Sequence, residues 1–273
     1  PAENLAASLM LHAPTIPRAL VTDALSTDLK LSFDLVLPYR AELGSVFEQK
    51  LHLDAYTPFK ETLFLDADCL VVRDLASVFD LFTANAVGYI GEERTEGAWY
   101  GTDIAEILRK TGLGWMPRHN GGLLYFDSSR ESQRFWNTAR TYFSRLPELG
   151  VEPFRGGAFP DEPAIALSAA ACDIRPVEDY GRTMRHTSGR KGRIRLDVLD
   201  GWCLFNKNGK WVSPSVLHFG TRGVRNLYRR EAWKARLRVF AGFSRGAART
   251  LGSLLGIVFL FLRGPRAWIG KRR

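Results

Sequence analysis

Glu61-Thr62-Leu63-Phe64-Leu65 runs straight into Asp66-Ala67-Asp68, after which Cys69-Leu70-Val71-Val72 resumes the apolar character. A short apolar run bounded by polar residues predicts a buried strand over 61–65. Its end delivers two carboxylates at i and i+2. Ligands of open α/β sheets bind beyond the carboxyl ends of the strands. Two carboxylates that close repel each other unless a hard cation neutralises them, and Mg²⁺ or Mn²⁺ shared with substrate phosphates meets that need. The same spacing also fits an acidic turn, with Asp66 capping and Asp68 solvated, so the pair alone leaves the chemistry open.

Working outward, residues 1–13 predict a helix with Leu5, Leu9 and Ala13 on one stripe, ended by Pro14 and Pro17. Strands are predicted over 18–22 and 33–37, and a helix over 45–56 with Val46, Leu53 and Tyr56 inward. Downstream the pattern alternates: helix 77–82, strand 86–90, a loop over 91–101, helix 103–110, strand 121–126, helix 130–146. A Gly/Pro-rich stretch follows at 150–160, then helix 161–172, a basic loop over 181–195 and a last strand at 216–219. Basic amphipathic helices close the chain over 228–240 and 247–262. Alternating strands and helices predict an α/β fold with a mostly parallel sheet.

With 273 residues, 45% of them hydrophobic, the chain can bury a substantial core, which excludes global disorder. Cys69, Cys172 and Cys203 are far apart without metal-ribbon spacing, so free thiols are expected. Charge is segregated. Residues 1–181 hold 16 Lys and Arg against 26 Asp and Glu, a net −10; residues 182–273 hold 22 against 3, a net +19. The basic end points to an anionic partner. Its longest apolar run, Leu254–Leu262, is too short to cross a bilayer, which takes about 20 residues. The chain opens on a helical pattern rather than on a charged segment followed by an apolar run, so the expected location is cytoplasmic and peripheral to a membrane.

The stretch Gln49-Lys50-Leu51-His52, followed by Thr62 to Val71, resembles glycosyltransferase family 8, the group of glycogenin and bacterial lipopolysaccharide hexosyltransferases. The likeness continues in order through His119-Asn120-Gly121-Gly122-Leu123-Leu124-Tyr125, Asp161-Glu162 and Val216-Leu217-His218-Phe219-Gly220, and covers residues 2–225. It implies a glycosyltransferase-A type fold, a Rossmann-like mixed sheet flanked by helices. It also implies a catalytic domain over 1–225, with 226–273 as a basic helical extension. By the same resemblance Asp66, Asp68 and His218 hold Mn²⁺ (or Mg²⁺), and Lys50 reaches the donor. Asn120 and Gly121 line the sugar, and Asp161 and Glu162 match the pair near the reacting carbon. Where the family has Lys-Pro-Trp, this chain reads Thr221-Arg222-Gly223-Val224-Arg225, so Arg222 or Arg225 is expected at the diphosphate. The family's first strand is expected to be missing, because the sequence begins inside the helix that follows it.

The implied reaction is metal-dependent transfer of a hexose, with retention, from a nucleoside diphosphate sugar, a UDP-sugar favoured, to an acceptor hydroxyl. The acceptor is expected to be a glycan, glycolipid or protein, and the basic tail to dock on an anionic membrane. Two other enzyme and binding classes are weighed against this. A haloacid-dehalogenase-like phosphatase also places Asp-x-Asp after an apolar strand, but it expects Thr or Val where Leu70 stands and a later Gly-Asp-x-x-x-Asp, which is absent. A nucleic-acid-binding protein would account for the basic third, but no helix-turn-helix, zinc or RNA-recognition signature accompanies it, so no nucleic-acid partner is expected. A non-catalytic glycosyltransferase-like domain is the remaining alternative.

Overall fold

The computed structural model describes residues 1–24, 32–45, 47–154 and 156–262, with backbone alone at 222 and 257–262. Val46, expected to face inward, lies outside the described residues, as do Arg263, Arg266, Trp268, Lys271, Arg272 and Arg273 of the basic tail. The chain forms two compact units. One comprises Pro1–Leu37, Leu65–Asp80 and the described residues from Asp179 onward; the other comprises Pro38–Phe64 and Leu81–Glu178.

In the first unit, the strand Val216–His218 lies between Met184–His186 and Cys69–Val71. It runs parallel to the former, pairing His218 with His186, and antiparallel to the latter, pairing His218 with Cys69. All three of its residues are buried, which explains the short run without polar alternation. Beside it an antiparallel meander is built from Arg190–Asp197, Trp202–Lys207 and Lys210–Val212. Its last turn is Asn208-Gly209, with φ of 51° and 94°, the left-handed pair that a two-residue hairpin requires. One face of the meander buries Leu196, Cys203, Phe205 and Val212 against Leu70, Leu217 and Tyr228.

Three helices complete this unit: Ala2–His12, Arg225–Val239 and Arg245–Leu262. The first buries Leu5 and Leu9 as expected, and Ser8 Oγ accepts a hydrogen bond from the Val71 amide at 3.0 Å. The last two pack closely along a seam of small residues. A Cβ on Gly252 would stand 2.7 Å from the Lys234 nitrogen, and one on Gly256 would stand 2.7 Å from the Arg230 Cα.

In the second unit, Leu123–Asp127 lies between Glu61–Leu65 and Val87–Gly88. It buries four consecutive residues, as a central strand covered on both faces does. Helices Ile104–Thr111, Arg130–Leu149 and Glu162–Ala171 surround it, the first two capped by the side chains of Asp103 and Ser129. Their core holds Trp136, Phe135, Phe126, Tyr89, Met116 and Leu167.

Three expectations are corrected. The sheet is mixed, not mostly parallel: 69–71 with 216–218, 87–88 with 123–127 and every pair of the meander are antiparallel. The segment 91–101 is not a loop, because Gly91–Arg94 pairs antiparallel with Met116–His119 and Ala98–Trp99 with Thr102–Asp103. The basic segment 181–195 is strand for most of its length. Its alternation is hidden by a register shift between Lys191 and Arg195, which breaks the two-residue period.

Candidate active site

Asp66 and Asp68 sit in the tight turn that joins Glu61–Leu65 to Cys69–Val71, closed by the Cys69 amide donating to the Asp66 carbonyl at 2.9 Å. Because Val216–His218 runs antiparallel to Cys69–Val71, the end of one strand meets the start of the other. The Phe219 amide donates to the Asp68 carbonyl at 3.2 Å and fixes that register. His218, 150 residues from Asp68, thus stands with its Nε2 3.0 Å from Asp68 Oδ1 and 3.6 Å from Asp66 Oδ2. Cys69, fully buried, brings its thiol into a group with Asp68 and His218 whose ligand atoms lie within 4.8 Å of one another.

Two carboxylates and an imidazole nitrogen converging in this way are a fitting donor set for a divalent cation such as Mn²⁺ or Mg²⁺. The ion-free alternative is an imidazolium paired with both carboxylates, which the same distances accommodate. His186 was not anticipated from the sequence. Its ring lies 4.7 Å from that of His218, nearly perpendicular, and Ser188 Oγ is 2.7 Å from its Nδ1. Burial, with His218 and Lys207 adding to it, pushes its pKa down to about 4, so at neutral pH it is uncharged.

The second unit gathers the other candidates. Asn120-Gly121-Gly122 is the turn between Met116–His119 and Leu123–Asp127, and Asn120 Oδ1 accepts from the Gly122 amide at 3.2 Å. Glu162 opens its helix facing this turn. Its Oε1 accepts from the Gly121 amide at 2.8 Å and from Asn120 Nδ2 at 3.2 Å, and its Oε2 from the Tyr100 hydroxyl at 2.6 Å.

Asp161 is 4% exposed and makes no side-chain cap bond, so it is not there to cap the helix. Lys50, on the 3-10 turn Glu48–His52, reaches both, with Nζ 3.5 Å from Asp161 Oδ2 and 3.4 Å from the Gly121 carbonyl oxygen. Lys50 is therefore not a solvated surface cation. A Cβ on Gly121 would stand 3.1 Å from Asp161 Oδ2, so this position favours the smallest residue.

Tyr100 lies in the segment 91–101 that the sequence predicted as loop, and it joins this group through Glu162. It holds a left-handed φ of 49°, uncommon for a bulky side chain, and burial followed by the charge of Glu162 raises its pKa. Trp99 packs on Tyr100 and on His119, with ring centroids at 5.2 and 5.9 Å. His119 is buried, and neither ring nitrogen has a hydrogen-bond partner among the described residues. Burial pushes its pKa down to about 4.

Asp66, Asp68 and His218 are thus brought together in one unit, and Lys50, Asn120, Gly121, Asp161 and Glu162 in the other. Arg225 begins the helix Arg225–Val239, and the side chain of Arg222 lies outside the described residues. The larger of the two described cavities, about 330 Å³ between Asp54, Asp127, Asn137 and Arg140, contains none of the candidates.

No protein-family model and no curated protein matches the chain. Its fold matches solved structures. The galactosyltransferase LgtC, in complex with donor and acceptor sugar analogs, aligns over 98% of this chain and 95% of that one, at 13% identity and a TM-score of 0.51. An active-site mutant of LgtC aligns over 81% and 84%, at 14% identity and a TM-score of 0.52. The glycosyltransferase GlyE of Streptococcus pneumoniae TIGR4 aligns at 17% identity and a TM-score of 0.42, over 66% of this chain and 42% of that longer one. At such identities the likeness is one of fold, and the chain has the mixed α/β fold of glycosyltransferase-A type.

Proposed function

We propose that the chain is a metal-dependent glycosyltransferase that moves a hexose from a nucleoside diphosphate sugar, a UDP-sugar favoured, to an acceptor hydroxyl with retention. The observation that carries the proposal is the convergence of Asp66 and Asp68 on His218 at the meeting ends of two strands. Breaking a sugar–diphosphate bond requires the departing diphosphate to be stabilised, and a divalent ion supplies that when bound. Asp66, Asp68 and His218 would hold it. By the family resemblance the polar set of the second unit is assigned to the donor sugar.

There Asp161 is assigned as the carboxylate for the reacting carbon, with Lys50 Nζ 3.5 Å away to orient it. Glu162 spends both oxygens on holding the Asn120–Gly121 turn and Tyr100, and so shapes the sugar's surroundings. Residues 1–225 are assigned to catalysis and 226–273 to a tail. A transfer and hydrolysis screen over a panel of sugar nucleotides with Mn²⁺ tests the proposal. Turnover of at least one donor, lost on chelation, is expected; no turnover of any donor, with or without an acceptor panel, would leave a fold without this activity.

We further infer a peripheral membrane location, in the cytoplasm, for the tail. Phe240, Phe243, Leu251 and Leu254 are exposed, and Leu254 is more than half so. Gly252 and Gly256 face the neighbouring helix, and the exposed Leu251 and Leu254 belong to the same helix. Two cations of the predicted basic helix 228–240 turn away from such a surface. Lys234 is buried and donates to Glu231 at 2.8 Å, and Arg236 pairs with Glu3 at 2.5 Å, because their helix turns those positions onto the unit's own acidic groups. No helix among the described residues is long and apolar enough to cross a membrane. The partners of this reading are the sugar nucleotide, a glycan, glycolipid or protein acceptor, and an anionic surface, with no nucleic acid.

A further inference from the structure

Two carboxylates balance the charge of a divalent ion that they hold, so the charge of a departing diphosphate falls to other cations. Several cations of the first unit are already paired. Arg185 is bidentate on Asp179, Arg249 binds Asp197 and Asp200, Lys234 and Arg230 bind Glu231, and Arg236 binds Glu3. Arg190 and Arg193 are among the cations with no ion-pair partner among the described residues, and what sets them apart is that they share one cavity. Among the described residues the Arg190 guanidinium makes one long hydrogen bond, Nη2 donating to the Gly223 carbonyl at 3.5 Å. Both line a cavity of about 250 Å³ with Gly192, Ile194, Gly223, Val224 and Leu227.

The backbone connects this cavity to the carboxylate–histidine set. The segments 186–190 and 218–223 run side by side from the paired His186 and His218. The Thr187 amide donates to the His218 carbonyl at 3.0 Å, and the Thr187 and Thr221 hydroxyls are 2.9 Å apart. Lys207 braces the first segment, its Nζ donating to the carbonyls of His186 and Ser188 at 2.9 and 2.8 Å. Gly223 is five residues beyond His218, at most about 17 Å of extended chain, and the 3-10 turn Arg222–Val224 shortens it further. A Cβ on Gly223 would stand 2.7 Å from Arg190 Nη2, so a side chain there would intrude on the guanidinium.

We propose that this cavity is a phosphate site, in which Arg190 and Arg193 take the diphosphate of the sugar-nucleotide donor. The inference rests on the function proposed above and supplies the cations that the sequence sought at Arg222 and Arg225. A guanidinium fork matches phosphate oxygens and stays charged at every accessible pH.

The test is calorimetry on the full chain with inorganic pyrophosphate and with UDP, each with Mn²⁺, and with orthophosphate alone. Arg190→Ala and Arg193→Ala are expected to weaken Mn²⁺–pyrophosphate and Mn²⁺–UDP about ten-fold each. Arg190→Lys should recover part of the loss, with melting temperatures unchanged, because both side chains stand clear of the core. Binding by both alanine variants equal to wild type, while Asp68→Ala loses it, would overturn the site and leave the glycosyltransferase reading standing. Orthophosphate binding that depends on Arg190 but is indifferent to Asp68→Ala would overturn the donor assignment in favour of a separate phosphate ligand. A wild-type chain that binds neither pyrophosphate nor UDP with Mn²⁺ would remove both readings.

Discussion

Glu162 accepts three hydrogen bonds, from Asn120, Gly121 and Tyr100, while its neighbour Asp161 is buried with Lys50 as its cation. The two carboxylates therefore have different duties under the proposed reaction. Asp161→Asn should lower kcat by two orders of magnitude or more with little change in melting. Glu162→Gln keeps one acceptor oxygen for the turn, and the Tyr100 hydroxyl can rotate to accept from the new amide, so its loss should be nearer ten-fold. Kinetics beside thermal melts decide; near-normal turnover in both variants would remove the carboxylates from catalysis. His119, one residue before this turn, gives a pH signature. Its pKa is lowered from 6.5 to about 4 by burial, so unfolding takes up a proton between those values. Stability is then complete above 6.5 and falls as pH drops toward 4, by up to about 1.4 kcal/mol per pH unit and about 3 kcal/mol in all. Urea unfolding between pH 7 and 4.5 should show that slope reduced by one proton in His119→Phe, and an unchanged slope would contradict it. Asp66 and Asp68 stand out in the sequence because a carboxylate pair at a strand end is a local signal, whereas Asp161-Glu162 rests on the family resemblance. Tyr100 and His186 do not stand out, since their roles come from a left-handed turn and a strand register that no nearby residue announces.

At the scale of elements, apolar runs and caps read well. Glu61–Leu65 falls where its pattern placed it, and Ile104–Thr111 and Arg130–Leu149 lie behind their capping Asp103 and Ser129. The misses were polar strands. Gly91–Arg94 is largely exposed, so no apolar period marks it, and its partner carries Pro117. In the meander the Asn208-Gly209 turn was a readable hairpin signal, but the register shift beside it broke the alternation that would have confirmed the strands. The seam between the last two helices makes its own prediction. A larger residue at 252 meets backbone atoms of Lys234, which cannot rotate away. Gly252→Leu should therefore destabilise the chain by about 1–3 kcal/mol despite the gain in helix propensity. A melting temperature equal to or above wild type would show that the seam does not exist. Point changes also suit the membrane proposal better than truncation, which would bare the seam. Leu251→Ser with Leu254→Ser should reduce co-sedimentation with anionic vesicles, and raising salt should weaken what remains. Binding indifferent to both would discard the membrane reading.

For the whole molecule, the family likeness drawn from scattered motifs and the fold match to LgtC meet on the same architecture, though at 13% identity in that comparison. What the fold accomplishes is bringing residues distant in sequence to shared points. Asp66 and Asp68 meet His218 through an antiparallel strand pair, and Lys50 meets Asp161 through the packing of a 3-10 turn near a helix start. The segregation of charge along the chain follows the same division of labour. The carboxylates that would hold a cation lie in the acidic part, whereas the two arginines proposed for phosphate lie in the basic part. All of this turns on whether the Asp66, Asp68 and His218 cluster holds a divalent ion or only an ion pair between its own groups. Calorimetry of UDP binding with and without Mn²⁺, on wild type and on Asp68→Ala, separates the two. Metal-dependent binding by wild type that disappears in a folded Asp68→Ala is the predicted result; Mn²⁺-dependent binding undiminished in that variant would contradict it.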